Sequence, residues 1–235
     1  MSWENEVKEI KKRLKLIQEM GGKEKIKRQY DAGRTTVRER IFALVDKGSF
    51  KEIGRLTGLS EYNEDGTLKS LMAVNSVIGH ALINKVPTVI YGDDFTIRGG
   101  AGDAAIYEKM ITAERFANEY RMPLIRLIEG TGGGGSVKSI EADGYTYVPA
   151  NPGWDWVVSN MATIPVVSLG LGPVAGLGAA RLVSSHYSVI VKKMSQVFVA
   201  GPPVVNRLGE TVTKESLGGS EIHGKNGVID EVADS

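Results

Sequence analysis

The sequence predicts an α/β fold, a stacked superhelix of strand-strand-helix units, and two observations carry that expectation. Two stretches, "PLIRLIEGTGGGG" (123–135) and "PVVSLGLGPVAGLG" (165–178), share one design in which a short apolar strand runs into glycines. Each is preceded by an amphipathic helical stretch, 104–121 before the first and 154–164 before the second. At 235 residues with 42% hydrophobic content, the chain has enough apolar material for one large domain or two small ones.

Charge and cysteine usage remove several function classes. The 29 basic and 28 acidic residues leave a formal net charge of +1, so no global field holds nucleic acid or an anionic membrane. The absence of cysteine excludes disulfides, thiolate metal sites and a cysteine nucleophile. The N-terminus "MSWENEVKEI" is acidic and lacks the apolar run of a signal peptide. No stretch approaches the roughly 20 apolar residues of a membrane span, so a cytoplasmic protein is expected.

Along the chain, Val7, Ile10, Leu14 and Ile17 fall at helical spacing among lysines and glutamates, predicting an amphipathic helix over 1–22 that "GG" at 21–22 ends. That stripe suits docking on the rest of the fold, or else a partner. A basic helical segment over 23–45 follows, with Thr35 or Thr36 placed to cap a turn and Glu39 to support it. Strand-like pieces at 69–78, 80–84 and 87–91, separated by Gly79 and "NKVP", predict an antiparallel meander. The stretch 93–103 is a loop, 104–121 a helix, 122–128 a buried strand, 136–153 a loop and 154–164 a helix. A strand at 165–169, a glycine turn opening a helix over 170–183, a strand at 187–191 and a strand with a Pro-started helix over 195–209 precede a tail of turns.

Backbone N–H groups at glycine turns can converge on one oxygen, and a thioester carbonyl becoming an enolate is such an oxygen. The plain alternative is that these glycines only permit tight turns or close packing. A dinucleotide fingerprint at "GGAGDA" (99–104) is incomplete, no P-loop occurs, and His80, His186 and His223 show no metal-ligand spacing. No GxSxG elbow supports Ser136 as a nucleophile. Glu129, Glu141 and Asp143 flank the glycine run as candidate acids or bases, although loop carboxylates are usually solvated.

Six motifs in order, "GRTTVRERI" (33–41), "DKGSF" (46–50), "DFTIRGG" (94–100), "LGPVAGLGAA" (171–180), "FVAGPPVV" (198–205) and "ESLGGSEIHGKNGVID" (215–230), make the chain resemble one half of a known enzyme component. That component is the carboxyltransferase (beta) subunit of biotin-dependent acyl-CoA carboxylases, of the propionyl-CoA and acetyl-CoA carboxylase type, and the match is to its N-terminal half. The resemblance implies a crotonase-like (ClpP/crotonase) superhelix of β-β-α units over 23–235, with the C-terminal half absent. It also implies transfer of carboxylate between carboxybiotin and the α-carbon of an acyl-CoA, with the biotin carried on a partner and the biotin ureido anion taking the α-proton.

The family's Ala-Gly-Gly oxyanion turn maps onto Ala175, Gly176 and Leu177, with Gly178 keeping the turn open. Its Ser-Gly-Gly-Ala-Arg stretch maps onto Thr131, Gly132, Gly133, Gly134 and Gly135, without the arginine. The resemblance thus implies Gly176, Leu177, Gly132 and Gly133 as the catalytic backbone, and Gly134, Gly135, Ala175, Gly178, Gly99 and Gly100 as substrate-binding positions, with no metal. The implied partners are the C-terminal half or a homologous subunit, a biotin carboxyl carrier protein and biotin carboxylase in an oligomer, with no nucleic acid and no membrane span. Competing readings are a self-sufficient crotonase-like hydratase, isomerase or hydrolase using a carboxylate such as Glu141, the carboxyltransferase of a biotin-dependent decarboxylase, and a non-catalytic assembly subunit.

Overall fold

The computed structural model describes residues 2–132 and 152–235, with residues 141 and 144 between them. The N-terminal helix α1 (Glu4–Gln18) carries Glu4 and Glu6 in its first turn and Lys15 in its last, charges that complement the helix dipole. Ile17 is buried against Ala73, Ile97 and Ala104, while Val7 and Ile10 stay half-exposed, so this helix docks at its C-terminal end. There Gly21 permits close approach: a Cβ would sit 2.0 Å from the Thr96 carbonyl oxygen, and its N–H donates to Thr96 Oγ1 at 2.9 Å.

The single helix expected over 23–45 is two, α2 (Lys23–Asp31) and α3 (Val37–Leu44). Gly33 at φ 73° ends the first, and Thr36 starts the second with a full capping box. Its hydroxyl accepts from the Glu39 N–H at 3.4 Å, and Glu39 accepts from the Thr36 N–H at 2.8 Å.

The expected three-piece meander is also revised. The strands are β1 (Lys51–Ile53), β2 (Gly58–Tyr62), β3 (Leu68–Ala73), β4 (Ser76–Ile83) and β5 (Val86–Asp93). The chain breaks at Val74–Asn75, and β3 leaves the main sheet to pair with β2. Gly79 lies inside β4, where a side chain would collide with the Lys51 carbonyl of β1 at 2.3 Å. The β4–β5 hairpin turns through Asn84 and Lys85, both at positive φ, and Asp46 accepts both N–H groups at 3.0 and 2.9 Å.

From β5 onward the sheet becomes parallel. It adds β6 (Leu124–Gly130), β7 (Val166–Ala175), β8 (Tyr187–Val191) and β10 (Glu231–Ala233), while β9 (Gln196–Phe198) pairs with the far end of β7. Helices α4 (Tyr107–Glu119) and α5 (Trp154–Thr163) precede β6 and β7. Ala113 and Ala117 of α4 pack on Tyr91, Leu124 and Val166. Arg98–Gly100 and Gly102–Ala104 are single 3₁₀ turns leading into α4, which therefore starts later than the sequence predicts.

The largest correction concerns β7, which extends through Gly170 and Gly172 to Ala175 where a turn is expected from 170. These glycines clear space inside the sheet: a Cβ at Gly172 would lie 2.4 Å from Glu129 Oε1, and one at Gly170 would lie 3.1 Å from Ile190 Cγ2. The turn comes at Gly176, before α6 (Leu177–Val183). Ala179 and Leu182 of α6 pack with Ile128, Val174 and Ile190.

After α7 (Pro202–Val205), the expected tail of turns contains α8 (Lys214–Gly218), capped by Thr213, and α9 (Ser220–His223). It then returns as β10 alongside β8. No helix among the described residues is long and apolar enough to cross a membrane.

Candidate active site

The parallel strands β6 and β7 end side by side, and the residues just beyond their C-terminal ends form the site, as open α/β sheets favour. A Cβ on Gly132 would stand 3.3 Å from the Ala175 carbonyl oxygen, so the two glycine turns touch. A third segment lies against them: the Thr131 N–H donates to the Gly99 carbonyl at 3.0 Å, and the Gly102 N–H donates to the Gly132 carbonyl at 3.3 Å. Gly100 at φ 67° approaches so closely that a Cβ would sit 2.6 Å from the Glu129 carbonyl oxygen. Bare backbone is needed here because three main-chain segments converge.

The convergence frames a cavity that Gly100, Gly132, Ala175, Leu177 and Gly178 all line, with Ile106 and Met110 as apolar wall. Gly99 serves the backbone latch through its carbonyl. Gly133, Gly134, Gly135, Ser136 and Asp143 lie outside the described residues, and Glu141 is exposed.

Not every expected donor is available. Gly176 adopts φ 61° and ψ −127°, and its N–H donates to the Phe198 carbonyl at 3.1 Å, continuing the β7–β9 ladder. Gly176 therefore shapes the turn, and its N–H is already engaged. The first hydrogen bond of α6 runs from Ala180 N–H to the Gly176 carbonyl at 3.1 Å, which leaves the Leu177 and Gly178 N–H groups without intrahelical acceptors. Both residues line the cavity, and a main-chain donor serves whichever side chain it carries.

The polar wall was not found from the sequence. Tyr91 and Asp93, two apart on β5, face the cavity together with Arg181. The Tyr91 hydroxyl donates to Asp93 Oδ1 at 2.5 Å, and the Glu129 N–H donates to Asp93 Oδ2 at 3.1 Å. Arg181 stacks over the Tyr91 ring at 4.2 Å. Burial pushes the Asp93 carboxyl up to about 6 and raises the Tyr91 hydroxyl as well. The period-two alternation of "YGDD" puts Tyr91 and Asp93 on one face, and that is the signal the sequence carries.

Behind the wall, Arg126 and Glu114 are fully buried and paired at 2.8 Å, and Arg181 reaches the same carboxylate at 3.0 Å. Asn160 Nδ2 donates to Glu114 Oε2 at 2.9 Å. This network fixes Arg181 against the cavity.

Glu129 is neither solvated nor an acid or base at the cavity. It is fully buried, paired with Arg40 at 2.5 Å and Arg34 at 3.2 Å, and it accepts from Gln29 at 2.9 Å, which ties α2 and α3 to the sheet. Burial raises its carboxyl while the two arginines pull it back down. The histidines have structural contacts. His186 Nδ1 accepts from the Val166 N–H at 3.1 Å, the His223 ring lies 2.7 Å from the Val197 carbonyl, and His80 stacks on Phe116. Among the described residues, no group of three His, Cys, Asp or Glu side chains is arranged for a metal.

Known proteins resemble this chain along nearly its whole length. The mitochondrial methylcrotonoyl-CoA carboxylase beta chain of Dictyostelium discoideum is 31% identical over 97% of this chain and 38% of its own length. A putative propionyl-CoA carboxylase beta chain of Bacillus subtilis is 29% identical over 89% of this chain and 40% of its own. The chain thus spans about two fifths of the curated relatives it matches. The transcarboxylase 12S crystal structure, a hexamer with methylmalonyl-coenzyme A bound, covers 100% of the chain and 45% of its own at a TM-score of 0.81 and 24% identity. The geranyl-CoA carboxylase beta subunit of P. aeruginosa gives a TM-score of 0.70 at 22% identity, over 99% of this chain and 41% of its own. These likenesses establish the crotonase-like α/β fold. A family profile described as "Carboxyl transferase domain" matches residues 28–235, and the chain belongs to that family.

Proposed function

We propose that the chain is the acyl-CoA-binding half of a biotin-dependent carboxyltransferase, moving carboxylate between carboxybiotin and the α-carbon of an acyl-CoA. The observation that carries this reading is the cavity lined by Leu177 and Gly178, whose N–H groups have no acceptor within their helix, beside the Gly132–Ala175 junction. Donors fixed where an enolate oxygen forms stabilise it without reorganisation, and removing one such donor typically costs about 2.7–4 kcal/mol. The uncharged apolar wall of Ile106 and Met110 suits an acyl chain, and the glycine-lined mouth lets a thioester approach main chain closely.

Carboxybiotin supplies the carboxylate, carried by a biotin carboxyl carrier protein and charged by biotin carboxylase. The residues holding the biotin ring belong in a homologous second half, from a partner subunit or a further stretch of chain. An apolar groove supports that arrangement. Val197, Phe198, Ala200 and Val183 line it, Val199 is 88% exposed on it, and Leu177 is shared with the acyl cavity. Residues 1–22 then serve as a docking helix, and 23–235 as the acyl-CoA domain within an oligomer.

The test is decarboxylation of malonyl-CoA or methylmalonyl-CoA with free biotin. The chain alone is expected to bind the thioester weakly without turnover and to gain activity when the second half is added. Robust turnover by the chain alone refutes the reading. Glu141→Ala should leave the reconstituted rate largely intact, whereas a self-sufficient hydratase relying on that carboxylate would lose its rate.

A further inference from the structure

A second cleft, of about 240 Å³, opens between β1, the turn at 54–57 and α4, separated from the acyl cavity by Ile106, which lines both. Ile53, Ile78 and Ile106 form its apolar wall, Thr57 and Thr112 add hydroxyls, and Glu108 is exposed at the rim. Lys109 also lines it. This lysine is 6% exposed; among the described residues its ammonium makes no hydrogen bond and no ion pair within 4 Å, although Glu52 lies near enough to favour its charge. Its stem runs past Gly54, where a Cβ would lie 3.7 Å from Lys109 Cε and 2.9 Å from Thr57 Oγ1.

The nearby carboxylate is already taken. Arg38 clasps Glu52 through two hydrogen bonds of 2.8 and 3.0 Å, and Arg55 stands 3.8 Å from it. The Nε atoms of Arg38 and Arg55 are themselves buried without partners. Three cations therefore share one carboxylate on this side of the cleft. Lys109 is largely buried, its ammonium opens on the cleft rather than being sealed in the core, and burial of the side chain draws it down to about 8 against the pull of Glu52. A small anion entering the cleft would meet that ammonium and favour its charged form.

We propose that this cleft is a binding site for a small organic monocarboxylate, with Lys109 holding the carboxylate, Thr57 or Thr112 donating to it, and the isoleucines receiving a short aliphatic tail. One ammonium matches one negative charge, and a wall of three isoleucines offers little to a fully hydrated inorganic ion. The site is distinct from the acyl cavity and does not depend on the carboxyltransferase reading.

The experiment measures thermal unfolding of the 235-residue chain in sodium propionate, sodium phosphate and sodium chloride at equal ionic strength. Propionate should raise Tm saturably, by about 2–4 °C above the chloride reference, and phosphate should not. Lys109→Met, which keeps the length of the side chain, should abolish the rise. A saturable rise with phosphate alone overturns the carboxylate assignment, and an equal rise in wild type and K109M, or none in wild type, overturns the site. Should K109M fail to fold, NMR titration of the wild-type Lys109 amine decides. Its pKa should climb from about 8 when propionate is present, since a bound anion favours the charged amine, and an unchanged titration overturns the site.

Discussion

Gly132 faces Ala175 so closely that a Gly132 side chain would begin 3.3 Å from the Ala175 carbonyl oxygen. Two turns 43 residues apart in sequence (175 − 132) thereby become one wall of a cavity.

If the proposed oxyanion hole is made of main-chain donors, the Leu177 side chain is dispensable. Leu177→Ala should keep acyl-CoA affinity and reconstituted turnover within a few-fold. An amide-to-ester replacement that deletes only the Leu177 N–H should lower turnover by roughly 10²–10³. Steady-state kinetics of the two variants checks this, and equal losses would count against a backbone oxyanion hole.

Gly100 combines φ 67° with a carbonyl 2.6 Å from its missing side chain, whereas Gly66 at φ 78° has nothing within 4 Å. Gly66→Ala should cost about 1 kcal/mol in urea unfolding, from backbone strain alone. Gly100→Ala should cost about 3 kcal/mol or more, or prevent folding, because the strain adds to a clash that must open the latch between 98–102 and 129–132.

Buried charge outside the cavity gives a further prediction. Glu129→Gln leaves Arg34 and Arg40 without their shared carboxylate and should cost about 3–5 kcal/mol. Gly172→Ala, whose new methyl would strike Glu129 Oε1, should come within the same range. Equilibrium urea unfolding measures both, and a near-neutral G172A would mean that the carboxylate relocates freely.

What the sequence made legible follows from how local each cause is. The capping box at Thr36 and Glu39 spans four residues and is readable, as is the strand-to-glycine design that delivers Gly132 and Gly176 to one end of the sheet. Gly79, Gly170 and Gly172 were misplaced as breaks because the atoms that demand them belong to Lys51, Ile190 and Glu129, remote in sequence. The Asp93–Tyr91–Arg181 wall was hidden for a similar reason. Arg181 is positioned by Glu114, 67 residues earlier, on a helix whose periodicity reads as ordinarily amphipathic.

Asp93 should leave a signature in the pH dependence of stability. Burial raises its carboxyl from 3.8 to about 6, so the folded chain holds this proton more tightly than the unfolded one. The stabilising contribution is complete below about pH 4 and is lost as the pH rises through 6, a change of about 3 kcal/mol. Asp93→Asn should therefore gain stability relative to wild type between pH 4.5 and pH 7.5, in parallel urea titrations. A constant difference across that range would mean that Asp93 titrates as an ordinary surface carboxylate.

In the proposed reaction the Leu177 and Gly178 amides polarise a thioester carbonyl in the cavity beside Gly132. Isotope-edited difference infrared spectroscopy of a ¹³C-labelled acyl-CoA bound to the chain at saturating concentration measures that polarisation. The carbonyl stretch is predicted to fall below its frequency in water, and to return toward it when the Leu177 N–H is removed. A bound thioester absorbing at its solution frequency would contradict the account.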